Sequence, residues 1–319
     1  MIFSKSTRIQ AMFKKFKVLL HPFKTIANIV NSQACIIETQ LHQNLFEQKS
    51  LQLTEQTFHS TEKGISSEKL CDEEIIVSLT SYGKRIYEVY LAIESIMQGS
   101  IKPNRILLWL NEEEFFNKAL PQTLQKQVAR GLEIRFCKDI KSYTKLIYTL
   151  KEFSNACIIT IDDDLIYNFD LVENLVAAHK TVPNCIWANR IHEMTYNEDH
   201  SLKSYLQWIY TISHDCTNKK NNFFTGVGGV LYPPDSLHKE VFNEDIFMDI
   251  CPTADDVWFN AMARLKGTEI RKSFTHSNKG EDYLINDLLQ ADGLGAINNA
   301  PCDCRNDIQI QAVYSKYRI

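Results

Sequence analysis

Apolar and polar residues alternate along the chain in two periods. Short apolar runs predict buried β-strands, at 74–82, 104–110, 132–136 and 156–161. Between them, apolar residues recur every three or four positions and predict amphipathic helices, at 85–98, 120–131 and 143–153. Strands that alternate with helices in this way are typical of α/β domains with parallel strands, which bind ligands at the carboxyl ends of the strands.

The first 37 residues show only the helical period. Apolar side chains are spaced 3, 4, 3, 4, 3, 4 from Ile9 to Val30, with six Lys or Arg and no acidic residue. This pattern predicts a basic helix on an anionic membrane surface. The same spacing would also form the seam of a coiled coil. Polar residues follow to about residue 70, so we divide the chain into a helical extension with its linker, 1–70, and a domain, 71–319.

Composition narrows the function classes. The 319 residues are 44% hydrophobic, enough for a large core. A net charge of −4 and a pI near 6.2 give no signal for nucleic acid. No apolar run reaches the roughly 18 residues that span a bilayer. The nine cysteines are scattered and several lie in apolar runs, so we interpret them as reduced, in a cytoplasmic protein.

Three carboxylates end the fourth predicted strand abruptly. Asp162, Asp163 and Asp164 directly follow the run Ile158–Ile161. Adjacent like charges repel, so they need either open water or a cation among them. Carboxylates at a strand end suit a hard Mg²⁺ or Mn²⁺ ion that also binds a diphosphate.

Three further features follow in the chain. A glycine-rich turn, TGVGGVLYPP, is either a close approach of backbone to ligand or a plain tight turn. The acidic pair Asp255 and Asp256 begins a predicted helix, where acids can be catalytic or can simply complement the helix dipole behind a Thr253 cap. His276 comes twenty residues after Asp256.

Taken in this order, the four features resemble those of GT-A glycosyltransferases of the bacterial surface-polysaccharide type, over residues 74 to 276. The resemblance implies an α/β fold with a GT-A (Rossmann-like) mixed sheet flanked by helices, here with a helical N-terminal extension. It implies sugar transfer from a nucleotide-diphosphate sugar, with a UDP-sugar as the expected donor, to a glycan or lipid-linked glycan. It also implies Mn²⁺ or Mg²⁺ as cofactor.

The resemblance assigns roles to individual residues. Asp256 corresponds to the catalytic base, and Asp164, Asp162 and His276 to metal ligands. The remaining assignments are contacts to the donor nucleotide: Thr80, Ser81, Tyr82, Arg85, Lys145, Asp162, Asp163, Gly228 and Gly229. Together with the basic N-terminal helix, these assignments imply a peripheral enzyme at the cytoplasmic face of a membrane.

Two alternatives to a glycosyltransferase remain open: another metal-dependent enzyme, or a protein without enzymatic activity. A strand followed by D-x-D also occurs in metal-dependent phosphatases, where Asp255 and Asp256 would form the second acidic pair. A nucleotidyltransferase shares the metal chemistry, although no glycine-rich basic loop follows the first strand. The alternative without enzymatic activity is an inert, membrane-associated scaffold.

Overall fold

The computed structural model of the protein describes residues 5–277, 281–285, 298 and 304–319. By its contacts the chain divides into two units, Met1–Gln48 and Lys49–Ile319. Among the described helices, none combines the length and the apolar character that a bilayer crossing requires.

One long helix, α1 (Lys5–His59), contains all described residues of the first unit. The side chains of residues 5–29, on which most of the predicted apolar stripe falls, lie outside the described part. Farther along α1, apolar side chains are exposed to solvent at Val30, Ile36, Ile37, Leu41 and Leu45.

The last turns of α1 belong to the second unit, which begins at Lys49. Leu53 and Thr57 are fully buried there. The Thr57 hydroxyl donates to the buried carboxylate of Glu94 at 3.2 Å, which also receives Arg130 Nη1 at 2.8 Å. Burying these polar groups together satisfies their hydrogen bonds, so the end of α1 is tied to the second unit.

Up to residue 161, helices and strands of the second unit alternate as the periodicity predicts, apart from one short helix that it did not predict. The strands of the first half are β1 (Ile75–Ser81), β2 (Arg105–Asn111), β3 (Leu132–Cys137), β4 (Cys157–Thr160) and β5 (Leu165–Tyr167). The helices of that half are α2 (Val89–Met97), α3 (Glu112–Phe115), α4 (Gln122–Ala129), α5 (Thr144–Glu152) and α6 (Leu171–Thr181).

The second half has shorter strands: β6 (Ile186–Ala188), β7 (Ile191–Glu193), β8 (Asn222–Phe224), β9 (Val230–Tyr232), β10 (Ile270–Lys272) and β11 (Tyr283–Ile285). Its helices are α7 (Glu244–Ile250), α8 (Asp255–Lys266) and α9 (Arg305–Tyr317).

Seven strands form the central sheet, in the order β10-β6-β9-β4-β1-β2-β3. β1, β2, β3 and β4 are parallel, and β9 runs antiparallel to both β4 and β6. Apolar side chains pack on both faces of the sheet in two large buried clusters. The predicted fold class, a mixed sheet flanked by helices, is confirmed, and its parallel part brings the carboxyl ends of β1, β2 and β4 to one edge.

Candidate active site

A cavity of about 780 Å³ opens at this edge of the sheet. The ends of β1 and β4, the start of α8 and the turn after β8 all contribute to its wall. Of the residues predicted for the site, the wall includes Thr80, Ser81, Tyr82, Arg85, Lys145, Asp162, Asp163, Asp164 and Asp256. Segments far apart in sequence therefore meet where the strand pattern places ligands.

The three aspartates leave β4 in different environments. Asp163 is buried, accepts a hydrogen bond from Ser81 Oγ at 2.7 Å, and pairs with Arg85 at 2.8 Å. Asp164 lies 3.1 Å from the same guanidinium. Burial and the neighbouring Asp162 and Asp163 raise the pKa of Asp164 to about 6. Arg85 therefore offsets only part of the repulsion.

Lys145 joins the two acidic groups of the cavity. It is buried near the start of α5, with its ammonium 2.8 Å from Asp162 and 3.3 Å from Asp255. Burial disfavours its charge, yet the attraction of Asp162, Asp255 and Asp256 raises its pKa well above the ordinary value. Lys145 is thus a fixed cation inside the site and not a solvated surface lysine.

Asp255 and Asp256 occupy the first turn of α8. One carboxylate oxygen of Asp256 accepts the backbone N–H of Gly226 at 2.9 Å. Burial and the charge of Asp255 raise the pKa of Asp256 to about 7, although Lys145 acts in the opposite direction. An acid with such a pKa can accept a proton near neutral pH.

The expected Thr253 cap of α8 is absent. Ala254 is the N-cap residue, with no side-chain capping bond. The Thr253 hydroxyl instead bonds the side chains of Asn298 and Gln309, which draws it toward the C-terminal segment.

The glycine turn contributes a different glycine from the two expected. Gly228 and Gly229 have φ values of 97° and 96°, and neither lines the cavity. They hold the turn between β8 and β9, because side chains rarely adopt this backbone conformation. Gly226 lines the cavity instead: a Cβ there would lie 3.0 Å from an Asp256 carboxylate oxygen and 3.1 Å from Lys145 Nζ.

The end of β1 forms the rim of the cavity. Thr80 donates its hydroxyl to the Trp109 carbonyl at 3.0 Å. The Tyr82 ring is 54% exposed, with the Arg85 guanidinium 5.2 Å from its centroid. An exposed ring held by a cation can stack on a flat ligand.

His276 lies outside the cavity wall and is half-exposed. Its Nε2 pairs with a carboxylate oxygen of Asp170, and this partner raises its pKa. The structure therefore does not bring His276 together with Asp162 and Asp164.

Sequence reasoning did not single out several wall residues. Arg190 lines the cavity just beyond β6, and in the described part of the chain its Nη1 donates to the Thr225 hydroxyl at 3.5 Å. A signal existed, since the polar pair Asn189–Arg190 directly follows the apolar run CIWA at a strand end. The C-terminal contributions have no such signal: Glu281, Tyr283, Ile285, Asn298 and Asn306.

The wall suits a divalent cation. Among the described residues, the wall carries four basic and eight acidic side chains, and against these a diphosphate alone would meet net repulsion. Asp162 and Asp164 supply the hard oxygen ligands that Mg²⁺ and Mn²⁺ prefer. We therefore regard these two residues as the candidate metal ligands.

Neither a protein-family model nor a curated protein matches the chain. Among solved structures, the mannosyltransferase PcManGT from Pyrobaculum calidifontis, in complex with GDP-Man and Mn²⁺, is 9% identical over 71% of this chain and 66% of that chain, with a TM-score of 0.41. A CMP:2-keto-3-deoxy-manno-octonic acid synthetase complexed with CTP is 13% identical over 62% and 88%, with a TM-score of 0.36. HddC from Yersinia pseudotuberculosis is 10% identical over 54% and 79%, with a TM-score of 0.32. At these scores the likeness carries no argument about activity.

Proposed function

We propose that the protein is a metal-dependent glycosyltransferase of the GT-A type. It moves a sugar from a nucleotide-diphosphate donor, with a UDP-sugar expected, to a glycan or lipid-linked glycan. The observation that carries this proposal is the convergence of Asp162, Asp164 and Asp256 on one cavity at the carboxyl edge of the sheet. Such an edge is where open α/β sheets bind their ligands.

Donor binding uses the side of the cavity that β1 and β4 form. Asp162 and Asp164 would hold Mn²⁺ or Mg²⁺, which when bound neutralises the charge that develops on a leaving diphosphate. Tyr82, Thr80 and Ser81 are placed at the rim for the nucleoside. Arg190, which also lines the cavity, offers a cation to the phosphates.

Asp163, Arg85 and Lys145 hold the site in shape. Asp163 is bound by Ser81 and Arg85, and Lys145 connects Asp162 to Asp255. Because these groups are buried and paired before the donor arrives, the carboxylates need little rearrangement when it binds. Such preorganisation is the main electrostatic contribution that proteins make to catalysis.

Asp256 is the proposed base that removes the proton from the acceptor hydroxyl. Its raised pKa suits proton transfer near neutral pH. Gly226 leaves space beside it and orients it through the backbone N–H. In this arrangement Gly228 and Gly229 act on the donor only indirectly, through the turn that carries Gly226, and His276 acts through its pair with Asp170.

The N-terminal basic helix would hold the enzyme on an anionic, cytoplasmic membrane surface, close to a lipid-linked acceptor. A phosphatase, a nucleotidyltransferase and an inert scaffold would each bind a different set of ligands. One binding screen therefore distinguishes these alternatives from the proposed glycosyltransferase.

The screen measures the melting temperature of the full chain with nucleoside diphosphates, nucleotide sugars and simple phosphate esters, with and without Mn²⁺. We expect stabilisation by one nucleobase series only when Mn²⁺ is present, because a bound ligand raises stability by mass action. Asp164→Asn should lose the Mn²⁺-dependent part, since an amide is a poorer ligand for a hard cation. Asp235→Asn, at an exposed carboxylate outside the cavity, is the matched control.

Sugar release or transfer from the stabilising donor then completes the test. Equal shifts with and without Mn²⁺, or turnover that EDTA leaves unchanged, would refute metal dependence. Shifts with phosphate esters but no nucleobase preference would favour the phosphatase.

A further inference from the structure

A second cluster of reactive side chains lies at the opposite edge of the sheet. The ligand atoms of Cys71, Glu73, Cys157 and His179 all lie within 4.8 Å of one another. Strands β1 and β4 are parallel, with Ile75 beside Cys157 at their amino ends. The cluster is therefore separated from the candidate active site by the length of these strands.

The backbone brings the four residues together from three segments. Cys157 opens β4, and its N–H donates to the Glu74 carbonyl at 2.9 Å, which places it beside Glu73. Cys71 turns back on the same segment, with its thiol 3.3 Å from the Glu73 carbonyl oxygen. His179 approaches from the last turn of α6.

Two of these separations, both from His179, match those between ligands of one tetrahedral ion. With zinc–ligand bonds near 2.0–2.3 Å, tetrahedral geometry puts two N/O ligands about 3.3 Å apart and an S and an N ligand about 3.5 Å apart. In the structure, His179 Nε2 lies 3.3 Å from Glu73 Oε2 and 3.4 Å from Cys157 Sγ. The Nε2–Oε2 distance is long for a hydrogen bond between a histidine and a carboxylate.

We propose that Cys71, Glu73, Cys157 and His179 form a structural zinc site. Two thiolates and an imidazole are borderline-soft ligands that favour Zn²⁺ over Mg²⁺, Ca²⁺ or Mn²⁺. Four protein ligands close the coordination sphere, as in structural rather than catalytic zinc sites. Cys157 and His179 are buried, whereas Cys71 and Glu73 are half-buried, so the ion has a route of entry.

Hydrogen bonds among the four residues explain the burial of His179 less well than a bound cation does. His179 is only 2% exposed, and among the described residues its Nδ1 has no hydrogen-bond partner. A thiol is a weak donor, so the two cysteines compensate poorly for burying the ring. A bound cation would compensate directly. It would also connect the linker after α1 to β4 and α6.

The test is the zinc content of the full chain after zinc loading and desalting, measured by elemental mass spectrometry. We expect about one zinc per chain. The double variant Cys71→Ser/Cys157→Ser should retain less than about a tenth of that, because it loses both thiolate ligands. The matched control, Cys304→Ser/Cys185→Ser, replaces one half-buried and one buried cysteine outside the cluster and should keep the zinc.

Two further measurements keep the result independent of folding and of the proposed function. Cobalt in place of zinc should show thiolate-to-cobalt charge-transfer absorption in wild type. Asp164→Asn should bind zinc normally, even if the candidate active site proves to have another role. Wild type without retained zinc, zinc retained equally by the double cysteine variant, or a Cys71–Cys157 disulfide in the intact mass would each overturn the proposal.

Discussion

Asp256 shows how one carboxylate can be set apart from its neighbours. It adjoins Asp255 in the same helical turn, but Asp255 pairs with Lys145 while Asp256 accepts the backbone N–H of Gly226. Burial next to a second acid raises the pKa of Asp256 to about 7. The residue is therefore suited to exchange a proton at neutral pH, which a cap or a surface acid would not be.

Asp256→Asn should lower kcat by about 10²–10⁴-fold, the usual contribution of a general base. Donor affinity should remain near normal, because the amide oxygen can still accept the Gly226 N–H. Steady-state kinetics with separate donor titration measures both. A lower melting temperature with normal turnover would instead assign Asp256 to helix stabilisation.

The dependence of kcat/KM on pH provides a control for this prediction. A base must be deprotonated to act, so kcat/KM should fall as pH drops through about 7, the raised pKa of Asp256. Asp256→Asn should remove this limb from its residual activity. A wild-type profile that is flat between about pH 6 and 8 would contradict the assignment.

At the scale of the element, the turn between β8 and β9 separates two uses of glycine. Gly226 leaves space at the reacting groups, whereas Gly229 combines a φ of 96° with a Cβ position only 2.9 Å from Leu171. An added methyl group should therefore reduce turnover at Gly226 and the stability of the fold at Gly229.

Gly226→Ala should reduce turnover while changing the melting temperature little, because the added Cβ meets Asp256 and Lys145 at 3.0 and 3.1 Å. Gly229→Ala should destabilise the fold by about 1–3 kcal/mol through backbone strain and crowding. Chemical denaturation and kinetics on the two variants decide the matter. Equal losses of stability would refute the distinction.

Helix α1 is a second element whose role can be tested. Val30, Ile37, Leu41 and Leu45 are exposed along it, while Leu53 is buried in the second unit. Such an exposed apolar helix suits either a membrane surface or a second chain.

Deletion of residues 1–48 should leave a folded protein that binds nucleotide, because the buried end of α1 is retained. It should lose sedimentation with anionic liposomes at low salt, which full-length protein should show. If full-length protein ignores liposomes but forms a dimer that the deletion dissolves, α1 is a coiled coil.

For the whole molecule, the acidic cavity makes stability depend on pH and on metal. The pKa values of Asp164 and Asp256 are raised in the folded state to about 6 and 7. Folded protein therefore holds protons that the unfolded chain has lost, and stability must fall as pH rises through these values. His192, whose pKa burial lowers to about 3, acts in the opposite direction, but only up to its unfolded value near 6.5.

Without added cation, the melting temperature should thus fall by a few degrees between about pH 6.5 and 8. Mn²⁺ should restore it most at the higher pH, because the cation binds ionised carboxylates. Scanning calorimetry with and without Mn²⁺ measures both effects, and Asp256→Asn should flatten the metal-free curve. A melting temperature that rises across this window would contradict the cavity electrostatics.

Local pattern was enough to predict the strands from β1 to β4, the three longer helices between them, and the aspartates at a strand end. Each depends on which residues are neighbours in sequence: apolar runs form buried strands, and a three-to-four spacing forms a helical face. The same reasoning predicted that the site lies at the carboxyl edge, because parallel strands end together.

Contacts between distant segments could not be read this way. β9 enters the sheet antiparallel between β4 and β6, Lys145 bridges Asp162 to Asp255, and Gly226 replaces Gly228 and Gly229 in the wall. The cluster of Cys71 and Cys157 likewise comes from scattered positions with no motif spacing. These contacts depend on strand order and on how turns and helices pack across the sheet, and only the folded chain brings such residues within bonding distance.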